Sequence, residues 1–247
     1  MDRLIYTAMS GASHTMQQQA TVGQNLSNVN TPGYRAAVNA FRAVPLVGDG
    51  LPTRTFVVDS TAGVNLSPGA MQPTGRNLDI AVQGRGWIAV QLENGSEAYT
   101  RNGSFQVTTE GILQTRSGMN VAGDAGLITI PPNTEVTVAK DGTISTVPSG
   151  LSPNQVAVVG RIKLVNPSED QMVRGDDGLF RTRDGKPVAA NVEVTVAPGN
   201  LESSNVDTVE VMVNMISLAR QFDMHMKMLQ SADNNAKQAS QLLNMNA

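Results

Sequence analysis

The sequence predicts an α+β protein in which two long terminal helices flank an all-β centre. At both ends of the chain, apolar residues recur every three or four positions, which is typical of amphipathic helices. In the centre, short apolar–polar alternations are separated by Asn-Gly and Asp-Gly pairs, which are typical of strands joined by tight turns. A stretch interrupted by prolines joins the first helix to this centre.

The first helix is predicted over Met1 to Val29, and a turn is predicted to follow it. Its apolar row consists of Ile5, Met9, Ala12, Met16, Gly23 and Leu26, with Gln19 as the polar member. The opposite face carries Ser, Thr, Gln and Asn and little charge. In the turn, proline fixes its own φ and glycine can adopt a positive φ. The residues of this helix–connector turn are Asn28, Asn30, Thr31, Pro32 and Gly33.

Residues 34–73 are predicted to form an extended connector, built as a loose hairpin. They contain four prolines and one weakly alternating stretch, Thr53 to Asp59. Composition alone is equally compatible with a flexible linker. The expected domains are therefore a helical domain of residues 1–33 with 204–247, the connector 34–73, and a β-rich domain of residues 74–203.

The β-rich domain is predicted to be a barrel or a sandwich. Leu78 to Gln83 and Trp87 to Leu92 alternate with period two, and a Gly-Arg-Gly turn between them suggests that the second strand returns along the first. Asn94-Gly95 is a strong hairpin signal. Val156 to Val165 predicts a longer strand, broken by Gly160. No helical periodicity occurs in this part of the sequence, which favours an all-β domain.

The second helix is predicted to begin at Ser204 or Asp207 and to continue to Asn244. Each start places a hydroxyl or carboxylate where it can accept hydrogen bonds from the first free amides. The helix would be roughly 57 Å long at 1.5 Å per residue, which is longer than a small domain needs. Its narrow, heptad-like row favours pairing with another helix, either the first helix, helices of other copies, or both. The row consists of Met212, Met215, Ala219, Phe222, Met226, Leu229, Ala236 and Leu243, interrupted by Asp233 and Ser240.

Composition excludes several classes of protein. The 247 residues carry a net charge of −3 without a basic cluster, which argues against nucleic-acid binding. There is no cysteine, so disulfides, thiol catalysis and cysteine-ligated zinc are excluded. No apolar run is long enough to span a membrane, and the N-terminus lacks the apolar core of a secretory signal peptide. Export from the cytoplasm would therefore require another route.

Candidate chemistry is sparse, and no cofactor or metal is expected. The two histidines, His14 and His225, lie on different terminal helices without a second ligand at metal spacing, and are interpreted as packed or solvated side chains. The Asp-Gly pairs between Asp177 and Gly185 are better explained as turns than as a calcium loop. A carboxylate pair for glycoside hydrolysis stays open, because two strands far apart in sequence can supply it.

Several motifs together resemble the flagellar basal-body rod and hook proteins. The run from Asn25 to Arg35, Asn-Leu-Ser-Asn-Val-Asn-Thr-Pro-Gly-Tyr-Arg, resembles their N-terminal signature. Thr74 to Trp87 and Tyr99 to Phe105 are similar to blocks of their β-domain. Ser204 to Asp207, with Glu210 and the later Ala232-Asp233, is similar to their C-terminal signature. The resemblance covers the whole chain in the right order.

Within this family, the chain is more similar to the proximal than to the distal rod type. The opening residues, Met1 to Met9, resemble the proximal type. Distal rod proteins usually carry Arg-Ala-Tyr-Glu in the C-terminal helix, whereas this chain has Arg-Gln-Phe-Asp at residues 220–223. The distal type is the alternative.

The resemblance implies a structural subunit of the periplasmic rod in the flagellar basal body, and not an enzyme. Such subunits leave the cytoplasm through the flagellar type III export apparatus without a cleaved signal peptide. Their partners are other copies and other rod proteins, and they bind neither nucleic acid nor a small-molecule substrate. Their terminal helices form a shared coiled-coil core, so the apolar rows of both helices are the expected assembly interface. The assembly is a helical tube that transmits torque.

Two other classes of function are compatible with the residues alone. A cell-wall hydrolase anchored by its terminal helices would need catalytic carboxylates, for which Asp176, Asp177 and Asp184 are the candidates. A binding module with a helical dimerisation stalk would form a discrete dimer in solution. Neither class is favoured by a motif.

Overall fold

The computed structural model describes residues 2–45, 55–148 and 156–244 of the chain. The chain divides into two compact units. The helical unit consists of Met1–Asn28, Ala36–Asn65 and Val206–Ala247, and the β unit consists of Val29–Arg35 and Leu66–Asn205. An α+β architecture with a helix at each end is therefore confirmed. None of the helices in the described ranges is both long and apolar enough to cross a membrane.

The helical unit contains two helices and one hairpin. Its elements are α1 (Asp2–Ser27), β1 (Ala37–Pro45), β2 (Thr55–Val64) and α2 (Thr208–Asn244). The strands of the β unit are β3 (Met71–Pro73), β4 (Ile80–Gln83), β5 (Trp87–Gln91), β6 (Glu97–Thr100), β7 (Phe105–Val107), β8 (Leu113–Thr115), β9 (Asn120–Gly123), β10 (Gly126–Leu127), β11 (Thr134–Val138), β12 (Thr143–Pro148), β13 (Ala157–Arg161), β14 (Leu164–Val165), β15 (Met172–Arg174), β16 (Phe180–Thr182), β17 (Thr195–Pro198) and β18 (Asn200–Glu202).

Helices α1 and α2 pack against each other in opposite directions. Midway along the pair, Gly11 faces His225, where a Cβ on the glycine would lie 2.5 Å from the imidazole Cε1. Beyond the other end of α1, the Asn205 amide donates to the Tyr34 carbonyl at 3.3 Å, so the end of α1 and the start of α2 are held near each other by the chain. Of the two predicted starts for α2, the structure has the later one. The Asp207 carboxylate caps it, accepting hydrogen bonds from the amides of Val209 at 2.8 Å and Glu210 at 3.1 Å.

The segment predicted as a connector contributes an antiparallel hairpin, β1–β2, to the helical unit. The first strand follows α1 toward its N-terminus. Asn25 exchanges two hydrogen bonds with the backbone of Ala37, at 2.8 and 2.9 Å, and Thr21 bonds Asn39. Farther along, the rings of His14 and Phe41 meet edge to face at 5.9 Å. Residues 53 and 54, the start of the strand predicted at Thr53 to Asp59, lie outside the described residues.

The β unit is built on one large open sheet and several smaller ones. The strand path of the large sheet is β15-β16-β6-β5-β9-β8-β7, with β10 on β9 and β14 on β5. Strands β11-β12-β13 form a second sheet, and β17-β4 and β18-β3 form pairs. The described strands do not close into a ring, so the predicted barrel is not confirmed. The core between the sheets is formed by fully buried aliphatic residues, including Ile80, Ile88, Leu113, Ile144 and Ile162.

Two strand predictions were wrong in their pairing or bounds. Strand β5 does not return along β4, because β4 pairs with β17 while β5 pairs with β6, β9 and β14. The Gly-Arg-Gly segment between them is instead held by the β unit itself: the Gly84 carbonyl accepts a 2.6 Å hydrogen bond from Arg101. The long strand predicted over Val156 to Val165 is divided between β13 and β14, and its register against β12 shifts beside Gly160, where the break was predicted. The Asn94-Gly95 hairpin joins β5 and β6 as predicted.

A buried ionic cluster around Glu202 holds three segments of the β unit together. One carboxylate oxygen of Glu202 accepts from Arg35 Nη2 at 2.6 Å and from the Gly69 amide at 2.8 Å. The other accepts from Arg101 Nη1 at 3.1 Å. All three charged side chains are almost inaccessible to solvent. Burial lowers the pKa of Arg101, and the Glu202 charge opposes that shift.

The same segments are tied by backbone contacts. The Gly33 amide donates to the Glu202 carbonyl at 2.8 Å, and the Asn205 side chain donates to the Ser67 carbonyl at 2.9 Å. These segments, 29–35, 66–70 and 202–205, are the places where the chain passes from one unit to the other. The cluster therefore fixes, within the β unit, the points from which α1, the hairpin and α2 leave.

Replacing Glu202 by alanine is expected to destabilise the β unit by about 3–5 kcal/mol, because two buried guanidinium groups lose their counter-charge. The matched control is Glu169→Ala, which removes an exposed 3.7 Å pair with Arg85 and should cost about 0–1 kcal/mol. Urea unfolding followed by fluorescence of Trp87, the one tryptophan, reports on this unit. Equal midpoints for the two variants would contradict a stabilising role for the cluster.

Two glycines of α1 provide a matched test of the helix pair. Gly23→Ala meets no atom within 4 Å and should stabilise the helix by about 1 kcal/mol. Gly11→Ala has the same helix propensity gain, but its Cβ requires His225 to move away from α1. Thermal unfolding followed by helical circular dichroism should therefore show a higher Tm for Gly23→Ala only. An equal rise for both variants would show that α1 and α2 do not pack at Gly11.

Candidate assembly interface

The face of α1 that packs inside the helical unit includes most of the predicted row. The packed members of that row are Ile5, Ala12, Gln19, Gly23 and Leu26, and Ala8, Thr15 and Val22 are also buried or half-buried. The other two members, Met9 and Met16, are 56% and 58% exposed. At these two positions the packed face is displaced by one residue, because Ala8 and Thr15 are buried instead.

Helix α2 shows the same displacement. Its buried and half-buried residues include Val211, Met215, Leu218, Phe222, His225, Leu229 and Ala232. Met215, Phe222 and Leu229 belong to the predicted row. The row's other members Met212, Ala219, Met226 and Ala236 are exposed, and the side chain of Leu243 lies outside the described residues. On both helices, sequence periodicity therefore identified a band wider than the intrachain contact.

Each helix presents a second apolar face to solvent. The α1 outer face consists of Tyr6, Met9, Ser13 and Met16, and the α2 outer face of Val209, Met212, Ile216 and Ala219. All eight residues are exposed, Val209 at 72% and Ile216 at 56%. Exposed side chains of this size that are adjacent on one helix are typical of protein–protein contact sites.

Hydrogen bonds hold the helix–connector turn at both of its ends. At the end of α1, the Asn28 side chain donates back to the Gln24 carbonyl at 2.9 Å. The Tyr34 amide then closes a turn on the Thr31 carbonyl at 3.2 Å. Gly33 has φ 69°, and a Cβ there would lie 2.4 Å from the Arg101 carbonyl carbon. Only glycine fits that position. Asn30 and Thr31 are exposed.

The structure brings together the two histidines, which lie far apart in the sequence. His14 and His225 line one cavity of about 310 Å³ in the helical unit, with Phe41, Thr55 and Val57 of the hairpin on its wall. The Nδ1 atoms of both imidazoles are buried and make no hydrogen bond. Across the described ranges, no three His, Asp or Glu side chains are grouped as a metal site would require. The sequence carries no signal for this pairing.

Of the acidic residues considered for hydrolysis, Asp177 is engaged in a turn. The Asp177 carboxylate accepts from the Leu179 amide at 3.1 Å and pairs with Arg181. The hydrogen bonds from Arg181 lower the pKa of Asp177 below its usual value. An ionised carboxylate tied in this way is suited to fixing the turn, and not to donating a proton.

The chain matches three family models. They are "Flagella basal body rod protein" over residues 5–35, "Flagellar hook protein FlgE/F/G D1 domain" over residues 81–146, and "Flagellar basal body rod FlgEFG protein C-terminal" over residues 197–242. The first and last models cover most of α1 and α2, and the middle one covers much of the β unit.

Full-length relatives match from end to end. The flagellar basal-body rod protein FlgF of Escherichia coli is 50% identical over 99% of this chain and 100% of its own length. FlgF of Salmonella typhimurium is 48% identical, with the same coverage. By contrast, FlgG of Buchnera aphidicola (strain APS) is 29% identical over 90% of the chain and 92% of its own length.

Identity at this level over the full length shows the family and favours the FlgF group over the FlgG group. The relatives are structural proteins of the flagellum, so the chain is not an enzyme. It belongs to the family of flagellar basal-body rod proteins, within its FlgF group.

Proposed function

We propose that this chain is a subunit of the proximal rod that assembles through α1 and α2 into a helical, torque-transmitting tube. The observation that carries the proposal is the surface of α1. Between positions 4 and 34 the sequence contains no Asp, Glu, Lys or Arg. Tyr6, Met9 and Met16 are nevertheless more than half exposed on that helix. Solvent-facing protein surfaces normally carry about 25–35% charged residues, so this face is suited to burial against other helices.

The predicted interface residues divide into two groups. Ile5, Ala12, Leu26, Met215, Phe222 and Leu229 are half-buried or buried within one chain and stabilise the α1–α2 pair. Met9, Met16, Met212, Ala219, Met226 and Ala236 are exposed and are the ones we assign to neighbouring subunits. Methionine suits this role because its flexible thioether fills irregular gaps between helices.

Many small contacts would then provide the stiffness of the tube. Apolar burial contributes about 25 cal/mol for each Å² removed from water, and every subunit repeats the same contacts. Contacts between different faces of identical chains generate a helical array when the rotation between copies does not close into a ring. Three further points stay predictions. They are the coiled-coil core, the division into residues 1–33 with 204–247, 34–73 and 74–203, and the role of Asn28 to Gly33 in joining α1 to the connector.

The proposed partners are other copies and other rod proteins. The relatives are named for the flagellar basal-body rod, which supports a position in that structure. We further propose a periplasmic location, reached through the flagellar type III export apparatus without a cleaved signal peptide. Membership of the flagellar basal-body rod family supports this route.

A charge on an exposed interface position should prevent assembly without unfolding the chain. Met16→Glu and Met226→Glu place a carboxylate where a neighbouring helix is proposed to pack, and should abolish motility of a strain that lacks the wild-type chain. The control is Val192→Glu, since Val192 is 71% exposed in the β unit. Motility assays and immunoblots of isolated basal bodies measure the effect. Normal incorporation of both methionine variants would contradict assembly through the helices.

A further inference from the structure

We infer that the α1 outer face of one copy packs antiparallel against the α2 outer face of the next copy. The inference rests on the proposed function and specifies its contact. The α1 outer face is Tyr6, Met9, Ser13 and Met16, and the α2 outer face is Val209, Met212, Ile216 and Ala219. Both faces are exposed in a single chain, so covering them requires a partner outside that chain, and we assign this role to the next copy.

The two faces match in spacing and length. Successive members are three, four and three residues apart on both helices. Each face spans eleven residues, and its first and last Cα atoms lie about 15 Å apart along the helix axis at 1.5 Å per residue. Residues at this spacing lie along one line of a helix surface, so each face forms one continuous strip.

The direction of packing follows from the fold. Helices α1 and α2 run antiparallel within one chain, and copies related by a helical operation keep the same orientation along its axis. Helix α1 of one copy therefore meets α2 of the next antiparallel. With the two faces overlapping along their full length, this direction places Tyr6 opposite Ala219, Met9 opposite Ile216, Ser13 opposite Met212 and Met16 opposite Val209. The two smallest side chains, Ser13 and Ala219, then each face a large one, as close packing requires.

Charge and symmetry favour contact between the α1 outer face and the α2 outer face over contact between two identical faces. None of the eight residues is charged. The nearest charged residues on α2 are Glu210 and Arg220, and neither would meet a like charge, because residues 4–34 of the neighbouring copy contain no Asp, Glu, Lys or Arg. A contact of α1 with α1, or of α2 with α2, would cover only one of the two faces and would close into a dimer. A contact of α1 with α2 covers both faces of every interior copy, and it repeats along the array when the rotation between copies does not close into a ring.

The absence of cysteine allows a cross-linking test in intact basal bodies. Ser13→Cys and Met212→Cys chains are expressed singly and together in cells that lack the wild-type chain. After mild oxidation, a cross-linked dimer is expected only from the co-expressed pair. A chain that carries both substitutions should give a ladder of multimers. The control pair is Ser13→Cys with Val192→Cys, which joins α1 to an exposed position of the β unit and should not cross-link.

Each other cross-linking result would contradict a specific part of the inference. A dimer from Ser13→Cys alone or Met212→Cys alone overturns the unlike pairing. A dimer from Ser13→Cys with Ile216→Cys, in place of Met212→Cys, overturns the antiparallel direction. Chains present in the basal bodies without any cross-link overturn the inference and leave the proposed function standing. If wild-type chain is absent from the basal bodies, the proposed function fails as well.

Discussion

The buried pairing of Glu202 with Arg35 and Arg101 is the interaction on which the rest of the chain depends. One carboxylate compensates two guanidinium groups that are hidden from water, and also accepts the Gly69 amide. An uncompensated buried charge is costly, so the three segments cannot separate without a large loss of free energy. Because α1 ends just before one segment and α2 begins just after another, the cluster also determines where the two helices leave the β unit.

Both helices use their apolar residues on two faces. In α1, Ala8 lies against the rest of the helical unit while its neighbour Met9 faces solvent, and in α2 Leu218 and Ala219 divide in the same way. A helix with apolar residues at adjacent heptad positions can bury two strips against two partners. The inner strips hold the chain together, and the outer strips remain available for assembly. This division explains how a subunit can be folded and still expose large apolar side chains.

The hairpin β1–β2 packs on α1 and leaves the outer face of that helix exposed. Its first strand is bonded to α1 through Asn25 and Thr21 and contacts it again where Phe41 meets His14. A two-stranded hairpin has little capacity to form a core of its own, because an isolated one is marginally stable in water. Packed on α1, it covers part of the helix surface and completes the wall of the cavity that contains His14 and His225. The outer face of α1 lies at other positions, and stays exposed.

Local sequence signals determined the helices, several turns and the family. The repeat of three and four residues predicted α1 and α2 almost to their ends, and the Asn94-Gly95 pair predicted the hairpin of β5 and β6, because periodicity and turn chemistry are properties of neighbouring residues. Tertiary structure alone decided that β4 pairs with β17, that Glu202 meets Arg35 and Arg101, and that His225 faces Gly11. Those partners lie far apart in the chain, so no local pattern encodes them. The choice between Ala8 and Met9 as the buried residue depends likewise on the position of a partner helix, which the periodicity of one helix does not contain.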